Sequence, residues 1–213
     1  MPAVVAITDP AWSDDHIATS ARRMLSAVPR ASVGIQVRDR ARSASQVLVL
    51  ARRLREICAE SGAPIYVNER LDIALAIDAD GMHLGRASVS VADARKLLAP
   101  GAFVSVAAHE PDEVERAARS GANAALVSPI FETPGKGPAR SPSLLTRARE
   151  RARGLFLYAL GGIDATNAEA CICAGADGVA VIRAVWQASD PGALAMALVA
   201  AVRKHARARK DER

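Results

Sequence analysis

The chain alternates short apolar runs with amphipathic stretches, and the alternation repeats eight times. The apolar runs fall at 4–8, 33–37, 65–68, 81–84, 103–107, 124–127 and 155–160, with an eighth after Asp177-Gly178. Helical patterns separate them. Ser13 can cap a helix to about residue 28, with Ile17, Ala21, Met24 and Leu25 on one face. Ser43 or Ser45 starts a second, carrying Val47, Leu50, Leu54 and Ile57 and ending near Gly62. Further helices are predicted at 71–77, 91–98, from Pro111, at 143–153, at 167–174 and from 191 to about 205. Strand–helix alternation predicts a parallel sheet with helices over it, and eight units predict closure. The predicted fold is α/β, a single (β/α)8 TIM barrel over residues 1–213, with 203–213 as a basic tail. An open doubly wound sheet is the competing architecture, but the first strand–helix turn lacks a glycine-rich dinucleotide fingerprint.

Composition sets the chemistry of the core. Half of the residues are hydrophobic but only 3% are aromatic, so the interior is expected to be filled by Ala, Val, Leu and Ile. The formal net charge is +5, and Arg203, Lys204, Arg207, Arg209 and Lys210 supply much of it. Without interleaved aromatics or a recognition motif, such a tail reads as a solvated helix end, where cations suit the macrodipole, and no nucleic-acid partner is expected. Cys58, Cys171 and Cys173 lack zinc-ligand spacing. Their odd number, with no secretory signal at residues 1–9, suits a reducing cytoplasm. No apolar run is long enough to cross a membrane.

In such barrels chemistry belongs to the loops after the strands. The second strand delivers Gln36, Arg38 and Arg40 at every other residue, hence on one side, with Val37 and Asp39 on the other. Two arginines at a barrel mouth call for an anion, or for an internal salt-bridge network. The third strand delivers Tyr66, Asn68, Glu69 and Arg70, with Asp72 following, and the fourth delivers His83 with Gly85 and Arg86. His109 follows the fifth and can reach the mouth or cap the next helix. The irregular stretch 128–142 carries Thr133 and Lys136 and has the length of a functional lid. Near the end, Gly161-Gly162 and the segment from Gly178 to Arg183 suggest a cradle of main-chain amides for a phosphate. The mouth is thus expected to hold anions on two sides, one built of side chains and one of backbone.

Several segments, in order, resemble the thiamine phosphate synthase and thiazole tautomerase family. They are 6–9 (AITD), 36–40 (QVRDR), 67–75 (VNERLDIAL), 80–85 (DGMHLG), 128–133 (SPIFET), 160–163 (LGGI) and 174–181 (AGADGVAV). The resemblance covers nearly the whole chain. It implies a (β/α)8 barrel, usually a homo-oligomer, in thiamine biosynthesis. The implied reaction couples hydroxymethylpyrimidine diphosphate to thiazole phosphate, releasing pyrophosphate with Mg2+. By carry-over, Gln36, Arg38, Asn68 and Lys136 would bind the pyrimidine diphosphate, with Arg38 and Lys136 as the catalytic cations; Arg40 and Thr133 are further expected substrate contacts from their places on the second strand and the loop. Gly162, Ile182 and Arg183 would hold the thiazole phosphate.

The chain departs from that pattern on the diphosphate side. Glu69 stands where the family has an aspartate, and Ser88 stands at the second magnesium aspartate. Arg40 replaces a lysine, Ala107 a serine and Gly135 a threonine. A serine hydroxyl is a poor Mg2+ ligand beside a carboxylate, so Glu69 is left as the one expected metal residue. In the tautomerase branch the catalytic histidine would fall at Pro129, which transfers no proton. Three readings follow: a synthase with an eroded metal and diphosphate site, a tautomerase-like isomerase using His83 or His109, or a non-catalytic thiazole phosphate binder or regulator.

Overall fold

The computed structural model describes residues 1–133 and 140–211, with side chains in the last helix described as far as Lys204. Eight strands pair in sequence order, all parallel: β1 (Val4–Ile7), β2 (Val33–Val37), β3 (Ile65–Asn68), β4 (Gly81–Leu84), β5 (Phe103–Ala108), β6 (Ala124–Val127), β7 (Phe156–Leu160) and β8 (Gly178–Val181). β8 pairs with β1 and closes the barrel, Val4 lying opposite both Val33 and Val179. The outer helices are α1 (Asp14–Ala27), α2 (Ala44–Ser61), α3 (Leu71–Ala76), α4 (Val91–Leu97), α5 (Pro111–Arg119), α6 (Ser143–Arg151), α7 (Ala168–Cys173) and α9 (Pro191–Asp211). The eightfold alternation therefore closes as expected.

Local chemistry sets the helix starts. Ser13 accepts from the His16 amide at the head of α1. Ser43 and Gln46 form a reciprocal capping box on α2, satisfying two otherwise orphaned amides. Pro111 occupies the first turn of α5. Asn167 opens α7 as expected, though without a side-chain cap. It bonds instead to the Gly162 carbonyl at 2.8 Å and the Asp164 amide at 3.0 Å. A further helix, α8 (Arg183–Gln187), was not expected. It follows β8 directly, with no side chain capping its start.

Alternation along the strands separates two cores. Val33, Ile35 and Val37 of β2, Ile65 and Val67 of β3, and Met82 and Leu84 of β4 pack outward against the helices. The interior floor holds Val5, Ile7, Tyr66, Ala124, Leu126, Tyr158 and Ala180, with Phe103 and Phe156 against them. The expected aliphatic interior is thus corrected. Both tyrosines and two of the three phenylalanines gather at the floor, where inward glycines give them room. A Cβ on Gly178 would lie 2.8 Å from the Tyr158 ring, and one on Gly34 would lie 3.1 Å from Tyr66. Tyr158 donates its hydroxyl to the Pro2 carbonyl at 2.7 Å.

This layering moves two residues away from the mouth. Tyr66 packs its ring on Phe103, with centroids 4.6 Å apart, in the floor. Gly178 opens β8 at the same end, so it cannot belong to a cradle at the other. The two glycine pairs that look alike in sequence lie at opposite ends of the barrel: Gly161-Gly162 follows a strand, and Gly178 begins one.

Of the cysteines, Cys58 and Cys171 are buried, and burial pushes both thiols up to about 12. Cys173 is exposed. Among the described residues, no helix is long and apolar enough to cross a membrane.

Candidate active site

The carboxyl ends of the strands open into a cavity of about 1270 Å³. Its wall on one side is Gln36, Arg38, Arg40, Asn68 and His83; on the other are Gly161, Gly162, Ile182 and Arg183, with Thr133 also at the rim. Of the residues expected at the mouth, the structure brings Gln36, Arg38, Arg40, Asn68, His83, His109, Thr133, Gly162, Ile182 and Arg183 to the cavity, whereas Tyr66, Glu69, Arg70, Asp72 and Gly178 are not part of its lining. Glu69 stands behind Arg40, Gly178 lies in the floor, and Lys136 is outside the described residues.

The first wall is a network of side chains. Gln36 is buried inside β2 and donates to the Asn68 Oδ1 at 3.3 Å. Asn68 Nδ2 donates to Glu69 Oε2 at 3.0 Å. Arg40 closes on the same carboxylate with two parallel bonds, Nε to Oε2 at 3.0 Å and Nη2 to Oε1 at 3.1 Å. Asp39, on the other face as its spacing predicts, is turned away from the cavity. It accepts from the amides of Ala41 and Arg42 and from the Arg42 guanidinium. Burial alone would raise the Asp39 carboxyl, but those donors outweigh it and hold the group below its ordinary value.

Arg38 has no ion pair among the described residues. Burial first, then the charge of Arg40, draws its guanidinium below the ordinary arginine value. A partly buried guanidinium without a carboxylate partner is stabilised by an anion brought beside it. His83 sits deeper. Its Nδ1 lies 3.0 Å from Ser105 Oγ. Burial, followed by the charges of Arg38 and Arg40, pushes the imidazole down to about 3. All three effects favour the neutral imidazole.

The second wall is main chain. Gly161 and Gly162 have φ of 104° and 64°, the left-handed region that glycine tolerates best. Their smallness serves loop packing as well as any ligand. A Cβ on Gly161 would lie 2.9 Å from Pro129 Cα, and one on Gly162 would lie 2.6 Å from the Glu132 carbonyl. The closeness lets Ile130 and Phe131 donate their amides to the carbonyls of Leu160 and Gly161, both at 3.0 Å. Beside them α8 begins at Arg183. Trp186, fully buried, donates its indole N–H to the Ile7 carbonyl at 2.7 Å. Its own carbonyl lies 2.7 Å from His16 Nε2, and His16 stacks on Trp12.

Other expected residues fall elsewhere. Arg70 pairs with Asp72 outside the cavity. His109 does reach the mouth. Its Nδ1 lies 2.7 Å from the Ser128 carbonyl, an acceptor, so the ring donates there and leaves Nε2 unprotonated when neutral. Thr133 Oγ1 donates to the Phe131 carbonyl at 3.1 Å. Arg86 lines the cavity as expected from its place after the fourth strand, and Asp9, Arg140 and Asp164, which were not singled out for the mouth, line it too. They sit in loops beyond the strand ends, where alternation no longer predicts direction.

The comparisons with known proteins decide the family. The model described as thiamine monophosphate synthase matches residues 4–185. The chain belongs to that family. A thiamine-phosphate synthase of Moorella thermoacetica is 42% identical over 169 residues, covering 78% of this chain and 80% of that protein. One of Gloeobacter violaceus is 40% identical over 160 residues, 74% of this chain but 47% of that protein, so this chain spans about half its length. Among solved structures, thiamine phosphate pyrophosphorylase from Pyrococcus furiosus superposes with a TM-score of 0.84 at 27% identity, covering 95% and 96% of the two chains. Orotidine 5'-phosphate decarboxylase from Pyrococcus horikoshii, at 15% identity and TM-score 0.67 over 93% and 99%, shares the fold alone.

Members of the family generally use Mg2+, and the donor set here is a poor match for that ion. Among the described residues no three His, Cys, Asp or Glu side chains gather as a metal site. Both Glu69 oxygens are engaged by Arg40 and one also by Asn68. The Ser88 hydroxyl accepts the Gly85 amide at 2.8 Å, which closes a turn. Mg2+ favours hard, charged oxygens, and neither group offers one freely.

Proposed function

We propose that this chain is a thiamine-phosphate synthase that joins a hydroxymethylpyrimidine diphosphate to a thiazole phosphate. The observation that carries the reading is one cavity with two unlike anion walls, Arg38 and Arg40 on one side and the Gly161-Gly162 and Ile182-Arg183 backbone on the other. A reaction between a diphosphate and a monophosphate needs both.

In the proposed step the thiazole nitrogen attacks the methylene carbon of the pyrimidine. The bond from that carbon to the diphosphate oxygen breaks, and its electron pair leaves with pyrophosphate. No proton is gained or lost, so the neutrality of His83 is no obstacle. The task of the chain is to stabilise the charge that grows on the leaving oxygens. Fixed cations in a partly buried wall do this better than water, because they need no reorganisation. Arg38 is assigned that role. Gln36 and Asn68 orient the diphosphate, and Arg40 binds it. Lys136 is assigned to the same ligand by the family pattern, and Thr133, at the cavity, is placed beside it. Main-chain N–H groups at Gly162, Ile182 and Arg183 would take the thiazole phosphate, with α8 held in place by Trp186.

A coupling assay tests the reading. Purified protein is mixed with both phosphorylated precursors and Mg2+, and thiamine phosphate is sought by chromatography. Product formed only with both precursors is the expected result. Absence of product, with both ligands still bound in calorimetry, rejects the enzyme and leaves a binder.

A further inference from the structure

The diphosphate wall is tied together around one carboxylate, Glu69. Glu69 is held at φ of 60°, a left-handed conformation that costs a non-glycine residue strain. Its carboxylate lies across Gly85, where an added Cβ would come within 2.0 Å of Oε1. Only a residue without a side chain leaves that space. Glu69 is thus fixed from three directions: by its backbone, by the bare Gly85 surface and by the parallel bonds from Arg40. Arg40 lines the cavity and Glu69 does not. The guanidinium is 61% exposed at its side chain and the carboxylate 23%, so the arginine screens the acid from the ligand. The Arg40 donors on Nε and Nη2 go to Glu69, which leaves Nη1 for an anion in the cavity. Ser88, meanwhile, spends its hydroxyl on the Gly85 amide.

We propose that in this chain the Arg40–Glu69 pair takes the place of a protein-held Mg2+, so that the diphosphate is bound through Arg38 and Arg40 with no divalent ion bridging it to protein carboxylates. Glu69 is a positioning residue here: its charge aims and holds the guanidinium, as a paired acid does for a fork of donors. The inference rests on the synthase reading only in taking diphosphate as the ligand of this wall.

The test uses inorganic pyrophosphate and the full chain. Calorimetric titration is run in EDTA and again in Mg2+. Affinity in EDTA should fall by less than about tenfold relative to Mg2+. In EDTA, Arg40→Ala should weaken binding by at least about tenfold, and Arg40→Lys, a point charge without the fork, should recover only part of it. Mn2+ added to the free protein should keep the paramagnetic resonance spectrum of the aqueous ion. Glu69→Gln should weaken pyrophosphate binding in EDTA without changing the ratio between the two buffers. Pyrophosphate binding that requires Mg2+, no pyrophosphate binding in either buffer, or a bound Mn2+ spectrum that Glu69→Gln removes would each overturn the proposal. The wild-type titrations decide it even where a variant fails to fold. Coupling activity with Mg2+-dependent pyrophosphate binding would leave the synthase standing and sink this inference. Metal-free binding without coupling would do the reverse.

Discussion

The two walls of the mouth are built from different materials. The wall on β2, β3 and β4 is a lattice of side chains, Gln36 to Asn68 to Glu69 to Arg40, in which each member holds the next. The wall at β7 and α8 is backbone, shaped by two left-handed glycines and a helix start that Trp186 clamps to β1. Side chains can be exchanged one or two at a time if their partners change with them. Backbone cannot, because its path is fixed by packing on every side.

The largest test of the contrast is removal of a cation from the side-chain wall. Arg38→Ala should lower kcat for coupling by about 10²- to 10³-fold, the usual loss for one donor aimed at developing charge. Thermal stability should hardly change, since Arg38 pairs with no carboxylate among the described residues. A large fall in melting temperature with kcat intact would assign Arg38 to the scaffold. On the backbone wall the signature should be opposite. Gly162→Ala places a Cβ within 2.6 Å of the Glu132 carbonyl at φ of 64°. We expect a stability loss of about 1–3 kcal/mol in denaturant unfolding, together with a raised KM for the thiazole phosphate. An unchanged midpoint would show that this wall is softer than its packing implies.

His83 gives a third test, through pH. Its folded value is about 3 against an ordinary 6.5. Between those values the unfolded chain takes up a proton that the folded chain refuses, so stability falls as the solution becomes more acid. The slope from this group alone is about 1.4 kcal/mol per pH unit across the window. His83→Gln, which cannot titrate, should flatten the acid limb of melting temperature against pH. Asp39, with its lowered carboxyl, adds a loss of the same sign at lower pH and is untouched by that variant. A curve unchanged by His83→Gln would mean that the imidazole is protonated inside the barrel.

These contrasts also show what could be read from the residues. Alternation by two gave the direction of Gln36, Arg38 and Asp39 correctly, because a strand next to a helix layer has only two sides. It gave the wrong place to Tyr66, which shares a side with Asn68 but sits one layer lower. Alternation reports the face and not the depth. Gly178 was misplaced for a related reason: an apolar run beside a glycine looks the same whether the glycine leads or follows. The helix α8 left no trace, having neither a cap nor enough length for a periodic face. Arg140 and Asp164 lie past the ends of regular structure, where only coordinates tell direction. The pairing of Arg40 with Glu69, 29 residues apart, needed the barrel to bring β2 beside β3.

The smallest effect marks where the side-chain wall ends. Arg70 follows Glu69 directly, yet it turns outward and pairs with Asp72 on the first turn of α3. Burial slightly opposes, but the hydrogen bond from Arg70 dominates and holds the Asp72 carboxyl below its ordinary value. The pair is largely solvated, so its attraction is screened and the side chains lose freedom to form it. Arg70→Ala should therefore change unfolding free energy by less than about 1 kcal/mol. Pyrophosphate affinity and coupling should stay as they are, because the charge lies outside the cavity and faces its own acid. If Arg70→Ala weakened pyrophosphate binding as Arg40→Ala is expected to, the outward pair would be a rest position, and the wall would extend one residue further. A null effect confines the anion site to the inward lattice, where Arg40 is held by Glu69 of the adjoining segment after β3.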